Sequence, residues 1–266
     1  MDIKEFFLKD GEKPLDCIKD DGGFAAIFRT VGCIGDSLSS GEFESTTPDG
    51  KTKGYHDYFE YSWGQYMARA MGSTVYNFSR GGMTAKEYME SFGEAKGFFN
   101  PDLACQCYII ALGVNDVLNR GQAVGTADDI SLGSPETNPD NFAGWYGKVI
   151  SKYKEISPEA KFFLMTMANE TNAERRAKIK AHRELLYSIA EKIPNTYVLD
   201  IFEYGPEYNA DFKKLFYLGG HMNPMGYIFT AKMVMSYIDY TVRKHPEDFA
   251  QVGFIGKGVH NYNAKW

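Results

Sequence analysis

The chain has 266 residues, with 29 Lys and Arg against 35 Asp and Glu, a formal charge of -6, and 44% hydrophobic residues. That balance suits a globular protein with a sizeable core and offers no basic face for nucleic acid. No run approaches the roughly 18 apolar residues of a membrane span, and the charged stretch Met1 to Asp10 is no signal peptide, so a cytoplasmic chain is expected.

Residues 1–26 mix polar and turn-forming residues and predict an extension lying on the main domain. An apolar strand is expected over 27–34, ending in Gly35-Asp36-Ser37-Leu38-Ser39. Residues 41–60 are polar and aromatic, and predict a long loop near that strand end. It carries Tyr55, His56 and Tyr58, a rim suited to a flat ligand or a sugar. A helix over 61–71, a strand over 74–78 and a helix over 84–92 capped by Thr84 follow. The strongest buried strand spans 106–112 and ends in Gly113-Val114-Asn115-Asp116. Cys105 and Cys107, a C-x-C within this apolar run, are placed on one face, as buried thiols.

Residues 119–140, rich in Gly, Pro, Asn and Asp, predict a second insertion near the site. Helix 141–156 and strand 161–167 come next. Helix 172–193 opens with a Thr171/Glu174 capping box and aligns Ile179, His182, Leu186, Ile189 and Ile193 on one face. That makes His182 a packed helix residue. After strand 196–201, a helix starts near Pro224. Its apolar stripe is Met225, Ile228, Ala231, Met235, Ile238 and Val242; Lys232, Ser236, Asp239 and Arg243 form the opposite one. The tail after Pro246 is expected to be irregular. Five strands alternating with helices predict one α/β domain over 1–266, with a parallel sheet covered on both faces.

Four strand-end or loop segments gather polar chemistry: GDSLS at 35–39, SRGGMT at 79–84, GVND at 113–116 and GGHMNPMGY at 219–227. Acyl transfer needs a nucleophile, a base and donors aimed at the oxyanion. Ser37 and His221 suit the first two roles. The Ser37 N–H, a glycine N–H near residue 82 and the Asn115 side chain suit the third. No Cys/His grouping has zinc-site spacing.

The order and wording of these segments resemble the SGNH, or GDSL, hydrolase family, over roughly residues 29–243. The resemblance implies a three-layer α/β/α sandwich with a five-stranded parallel sheet, flavodoxin-like, and no metal or organic cofactor. GDSLS matches its first block, NFSRGGMT its second, GVND its third and HMNPMGY its fourth. It thereby implies Ser37 as nucleophile, His221 as base, and Ser37, Gly82 and Asn115 as the oxyanion hole. Gly81 is the alternative to Gly82. The implied activity is a serine esterase acting on small-molecule or carbohydrate esters, with short acyl groups such as O-acetyl. Transfer of the acyl group to a sugar hydroxyl, and carbohydrate binding without cleavage, stay open.

One position departs from the family pattern. Where an Asp usually stands three residues before the His, this chain has Leu218. Such an acid orients the imidazole and stabilises its charged form. Three readings follow. A backbone carbonyl near Leu218 orients His221, an acid such as Asp200, Glu207 or Asp211 serves instead, or the site binds without cleaving.

Overall fold

The computed structural model describes residues 7–263. The first six residues of the expected extension, and residues 264–266 of the tail, lie outside the described residues. Five strands form one parallel sheet in the order β4-β1-β5-β6-β7, where β1 is Thr30–Gly35, β4 Thr74–Ser79, β5 Cys107–Ala111, β6 Lys161–Met165 and β7 Thr196–Leu199. The chain winds outward in both directions from β1, the flavodoxin-like pattern. In such sheets ligands bind beyond the strand ends where the winding reverses.

Side-chain alternation along the strands divides the core in two. Tyr108, Ile110, Phe162 and Leu164 face one layer, with Ile34 and Phe78. It is covered by α3 (Phe142–Ile156) and α4 (Ala173–Lys192). Cys33, Cys107, Ile109 and Phe163 face the other, with Trp63 and Met67 of α2 (Trp63–Met71) and Ala231 and Val234 of α6 (Pro224–Lys244). Both faces are buried, so the strands are nearly continuous apolar runs.

Several expected boundaries move for local reasons. β1 begins at Thr30, because Gly23–Ile27 coil into a 3-10 turn. α2 begins at Trp63, capped by Ser62, whose side chain accepts the Gln65 N–H. The helix expected over 84–92 does start under the Thr84 cap, then widens into a π turn at Tyr88–Phe92. The cap of α4 is Asn172, which accepts the Arg175 N–H; the Thr171/Glu174 box is not formed. Cys105 precedes β5 and packs in the layer opposite Cys107, so the two thiols do not share a face. His182 is fully buried in the core, and burial pulls its pKa down to about 4, leaving the ring neutral.

Residues 41–60 hold more order than a loop. β2 (Glu42–Thr46) and β3 (Lys53–Asp57) form an antiparallel hairpin. Residues 119–140 contain only short 3-10 turns at Ala127–Asp129 and Pro135–Thr137. The tail after Pro246 includes a helical turn at Pro246–Phe249.

The polar stripe of α6 is itself covered. Ser236, Asp239 and Arg243 are buried, under residues 7–26. Ser236 Oγ accepts the Lys19 N–H at 2.8 Å, and Asp239 Oδ1 accepts the Phe24 N–H at 2.8 Å. Arg243 pairs with Asp239 at 2.8 Å and Glu12 at 2.6 Å. Met225 and Ile228, expected on the apolar stripe, are instead exposed on the first turns of the helix.

Gly32 tests the packing. A Cβ there would stand 2.7 Å from the Tyr108 ring and 2.9 Å from Phe78. We expect Gly32→Val to destabilise the fold by about 1–3 kcal/mol through overpacking, read as a lower midpoint in chemical denaturation.

Candidate active site

The register of the sheet sets Gly35 level with Ser79 on one side and Ala111 on the other. The segments that follow these strands therefore leave at one height. After β1 the chain turns into the single turn α1 (Ser37–Ser40), where the buried Asp36 caps by accepting the Leu38 N–H at 3.0 Å. Ser37 is its first residue. After β4 comes Gly82, with φ +70° and no atom within 4 Å of a would-be Cβ. Backbone conformation, not crowding, calls for glycine there. After β5, Gly113 (φ +132°) packs so closely on His182 that a Cβ would lie 2.8 Å from Nε2. Asn115 follows it in a wide helical turn. Asp116 is buried and accepts the Ala85 N–H at 2.8 Å, tying the β4 and β5 segments together.

His221 enters from a two-stranded ladder, β8 (Tyr217–Leu218) and β9 (His221–Met222), just before α6. Asn223 caps α6 by accepting the Gly226 N–H. Ser37, Gly82, Asn115 and His221 all line one cleft of about 530 Å³, with Glu42, Tyr55, Gly81, Asn119 and Arg175. No hydrogen bond joins Ser37 to His221 among the described residues. Asn115 Nδ2 donates to the Met83 carbonyl at 3.1 Å and, more loosely, to Asp36 Oδ2 at 3.4 Å. Asn119 Nδ2 donates to Asn115 Oδ1 at 2.9 Å. Arg175 is paired with Glu170 through two hydrogen bonds of 2.7 and 3.2 Å.

The hairpin supplies residues that motif reasoning missed. Glu42, Glu44, Lys53, Tyr55 and Asp57 share one face, since Glu42 pairs with Asp57 and Glu44 with Tyr55. That face meets His221. Glu42 Oε1 lies 3.0 Å from His221 Nε2, and Glu44 Oε2 lies 3.7 Å from Nδ1. The Tyr55 ring stands edge-on to the imidazole. Glu44 is buried and fixed by Lys53 at 2.6 Å and by the Gly220 N–H at 2.8 Å. A Cβ on Gly81 would fall 1.9 Å from Glu42 Oε2, so Gly81 is a seat for that carboxylate. The available signal was Glu42-Phe43-Glu44: alternation in a strand puts both carboxylates on one face and Phe43 on the other, where it packs on Tyr58, Tyr61 and Tyr227.

The same alternation removes His56 from the cleft. It lies on the far face of the hairpin, contacts Ser45 Oγ at 2.9 Å, and stacks on Tyr58. Of the three expected aromatic contacts only Tyr55 lines the cleft. From 119–140 only Asn119 does; Ile130 and Leu132 pack instead in the core beneath α3 and α4. None of the three acids proposed to replace the missing Asp reaches His221. Asp200 is buried against Arg183 and Tyr187, Glu207 pairs with Arg176, and Asp211 sits in the first turn of α5 (Ala210–Phe216). The carbonyl reading is not realised either, because the buried His221 Nδ1 has no hydrogen-bond partner.

Burial dominates the electrostatics. It pushes the Asp36 carboxyl up to about 7, helped by Asp116 and Glu42, and Glu42 up to about 6, helped by Asp57 and Glu44. Lys53 and the Gly220 N–H hold Glu44 below the usual carboxylate value. Burial lowers the His221 pKa from 6.5, against the opposing pull of Glu44. A hydroxyl, an imidazole, backbone N–H groups and a carboxamide thus share one cleft, the set of groups acyl transfer uses.

None of the curated proteins matches the chain. Solved structures share its fold at low identity. A family 2 carbohydrate esterase with a carbohydrate-binding domain from Corynascus thermopiles (Myceliophthora fergusii) superposes with TM-score 0.54 and 15% identity, over 79% of this chain and 65% of that one. A carbohydrate acetylesterase from Sinorhizobium meliloti gives 0.52 and 15%, over 79% and 98%. A family 3 carbohydrate esterase from Clostridium thermocellum gives 0.51 and 13%, over 81% and 97%. The model of the GDSL-like Lipase/Acylhydrolase family matches residues 33–228. With that span covering all four strand-end segments, the chain belongs to the GDSL-like lipase/acylhydrolase family.

Proposed function

We propose that the protein is a serine esterase that removes short acyl groups, O-acetyl groups on carbohydrate among them. The observation that carries this is the convergence of Ser37, Gly82, Asn115 and His221 on one cleft. In this reading Ser37 Oγ attacks the ester carbonyl and His221 Nε2 takes its proton. The tetrahedral oxyanion is held by the Ser37 and Gly82 N–H groups and by Asn115 Nδ2, which gives up its long contact to Asp36. His221 then returns the proton to the leaving alcohol. A water deprotonated by His221 adds to the acyl-Ser37 carbonyl and frees the acid. Glu42, resting at Nε2, turns aside as substrate enters.

Two features support the substrate class. Asn119, Arg175 and Tyr55 give the cleft wall hydrogen-bonding groups suited to sugar hydroxyls, and Glu170 already balances the Arg175 charge, so the wall favours a neutral polyol. Beside the cleft, and sharing Leu38 and Val114 with it, lies a cavity of about 70 Å³ whose lining includes Met165, Met167, Ile201 and Met222. That is room for only a few heavy atoms. The carbohydrate esterases of similar fold are consistent with this class.

Hydrolysis of a chromogenic acetate ester, followed by a panel of acetylated sugars, tests the reading. Ser37→Ala should fall to background and Asn115→Ala should lose about 10²–10³-fold in kcat. Equal activity of wild type and Ser37→Ala would remove Ser37 from the mechanism. The pH profile follows from His221. Only the neutral imidazole accepts the proton, and burial lowers its pKa, so the acid-side half-loss of kcat/KM should fall below pH 6.5.

A further inference from the structure

We propose that Glu44 is the acid that orients His221, a positioning residue delivered by the β2–β3 hairpin in place of the side chain missing at Leu218. The inference rests on the esterase reading of the site. Leu218 is 54% exposed and pairs through the backbone with His221. An aliphatic side chain at this position offers the imidazole no acceptor. On the buried side of the ring, Nδ1 has no hydrogen-bond partner. Glu44 Oε2 faces it at 3.7 Å, and the same oxygen accepts the N–H of Gly220, the residue before His221. One carboxylate thus holds the backbone that carries the imidazole and stands behind its nitrogen. Contacts of this kind are often long without substrate and tighten when it binds.

The two glutamates divide by position. Glu42 stands at Nε2 on the cleft side, where the Ser37 proton must pass. Glu44 stands at Nδ1, away from the cleft lining. An Nδ1–H donated to Glu44 leaves the Nε2 lone pair free for Ser37, and the carboxylate stabilises the imidazolium that then forms. Lys53, on the same hairpin face, and the Gly220 N–H each hold the Glu44 carboxyl below the usual carboxylate value, so its ionisation at neutral pH does not depend on Lys53 alone. The charged and titratable groups around His221 are Glu42 and Glu44 from β2, Lys53, Tyr55 and Asp57 from β3, and Asp36 capping α1. Arg175 stands on the cleft wall at the start of α4.

The test compares wild type with Glu44→Gln, Glu42→Gln and Lys53→Met. Glu44→Gln keeps an acceptor for the Gly220 N–H and removes the charge behind Nδ1. It should lower kcat at least about tenfold, toward the roughly 10⁴-fold loss known for an amide replacing a triad acid. KM should stay within about twofold, and the acid limb should move to lower pH. Lys53→Met breaks the same ion pair but leaves the carboxylate, so it should keep kcat and move the acid limb to higher pH. A structural role for the Lys53–Glu44 pair would instead lower both variants alike. Titration of the His221 ring by NMR gives a readout independent of turnover: Glu44→Gln should lower its pKa and shift the Nδ1–H resonance upfield. Unchanged kcat, pH limb and ring titration in Glu44→Gln, or these losses in Glu42→Gln alone, would overturn the assignment. A wild type that cleaves no ester would sink the esterase reading, while the ring titration still decides whether Glu44 governs His221.

Discussion

The register of β1 between β4 and β5 is the constraint on which the site depends. Parallel strands hydrogen-bonded on both sides cannot slip by one residue without moving every side chain to the opposite core layer. Gly35 is thereby locked level with Ser79 and Ala111. The turns carrying Ser37, Gly82 and Asn115 start from that common line. Gly32 makes the arrangement compact, since the Tyr108 and Phe78 rings close over it. The cleft inherits its shape from backbone pairing, and its side chains need only short turns to converge.

Much of this was legible in the sequence, because buried parallel strands are apolar runs with abrupt polar ends. The five strands, and the segments around Ser37, Gly82, Asn115 and His221, stand out for that reason. What could not be read is where a polar segment folds back. Residues 41–60 have the composition of a loop, and only pairing with a second short strand turns Glu42 and Glu44 toward His221. His56 was misplaced through the same ignorance of faces. The polar stripe of α6 is legible as a stripe, but its burial depends on residues more than two hundred positions earlier, a contact that local periodicity cannot register.

The acids near the cleft set a pH dependence of their own. Asp36, Asp116 and Glu42 all have raised pKa values, of about 7, 6 and 6. A carboxyl whose pKa rises on folding binds its proton more tightly in the folded state. Its contribution is complete below the unfolded value, near 4, and fades as pH climbs through the folded one. These groups favour the folded state in mild acid and cost stability above neutrality. The buried His182 works the other way, since its folded pKa lies below 6.5. Between about pH 4 and 6.5 the two tendencies oppose each other. Carboxylates gathered beside the cleft thus cost the fold stability at neutral pH and above.

The cover that residues 7–26 lay over α6 has a consequence for synthesis. Asp239 and Arg243 are close to complete only when Glu12 and Phe24 reach them. A ribosome makes those residues some two hundred positions before the helix at 224–244. Phe24 and Glu12 must therefore wait, unengaged, while the intervening sheet is translated. The core layer that Ala25 helps fill cannot close until α6 arrives. Such long-range closure slows folding, because the loop entropy is spent before the contact forms. It also leaves the fold short of its full cooperativity until α6 has been made.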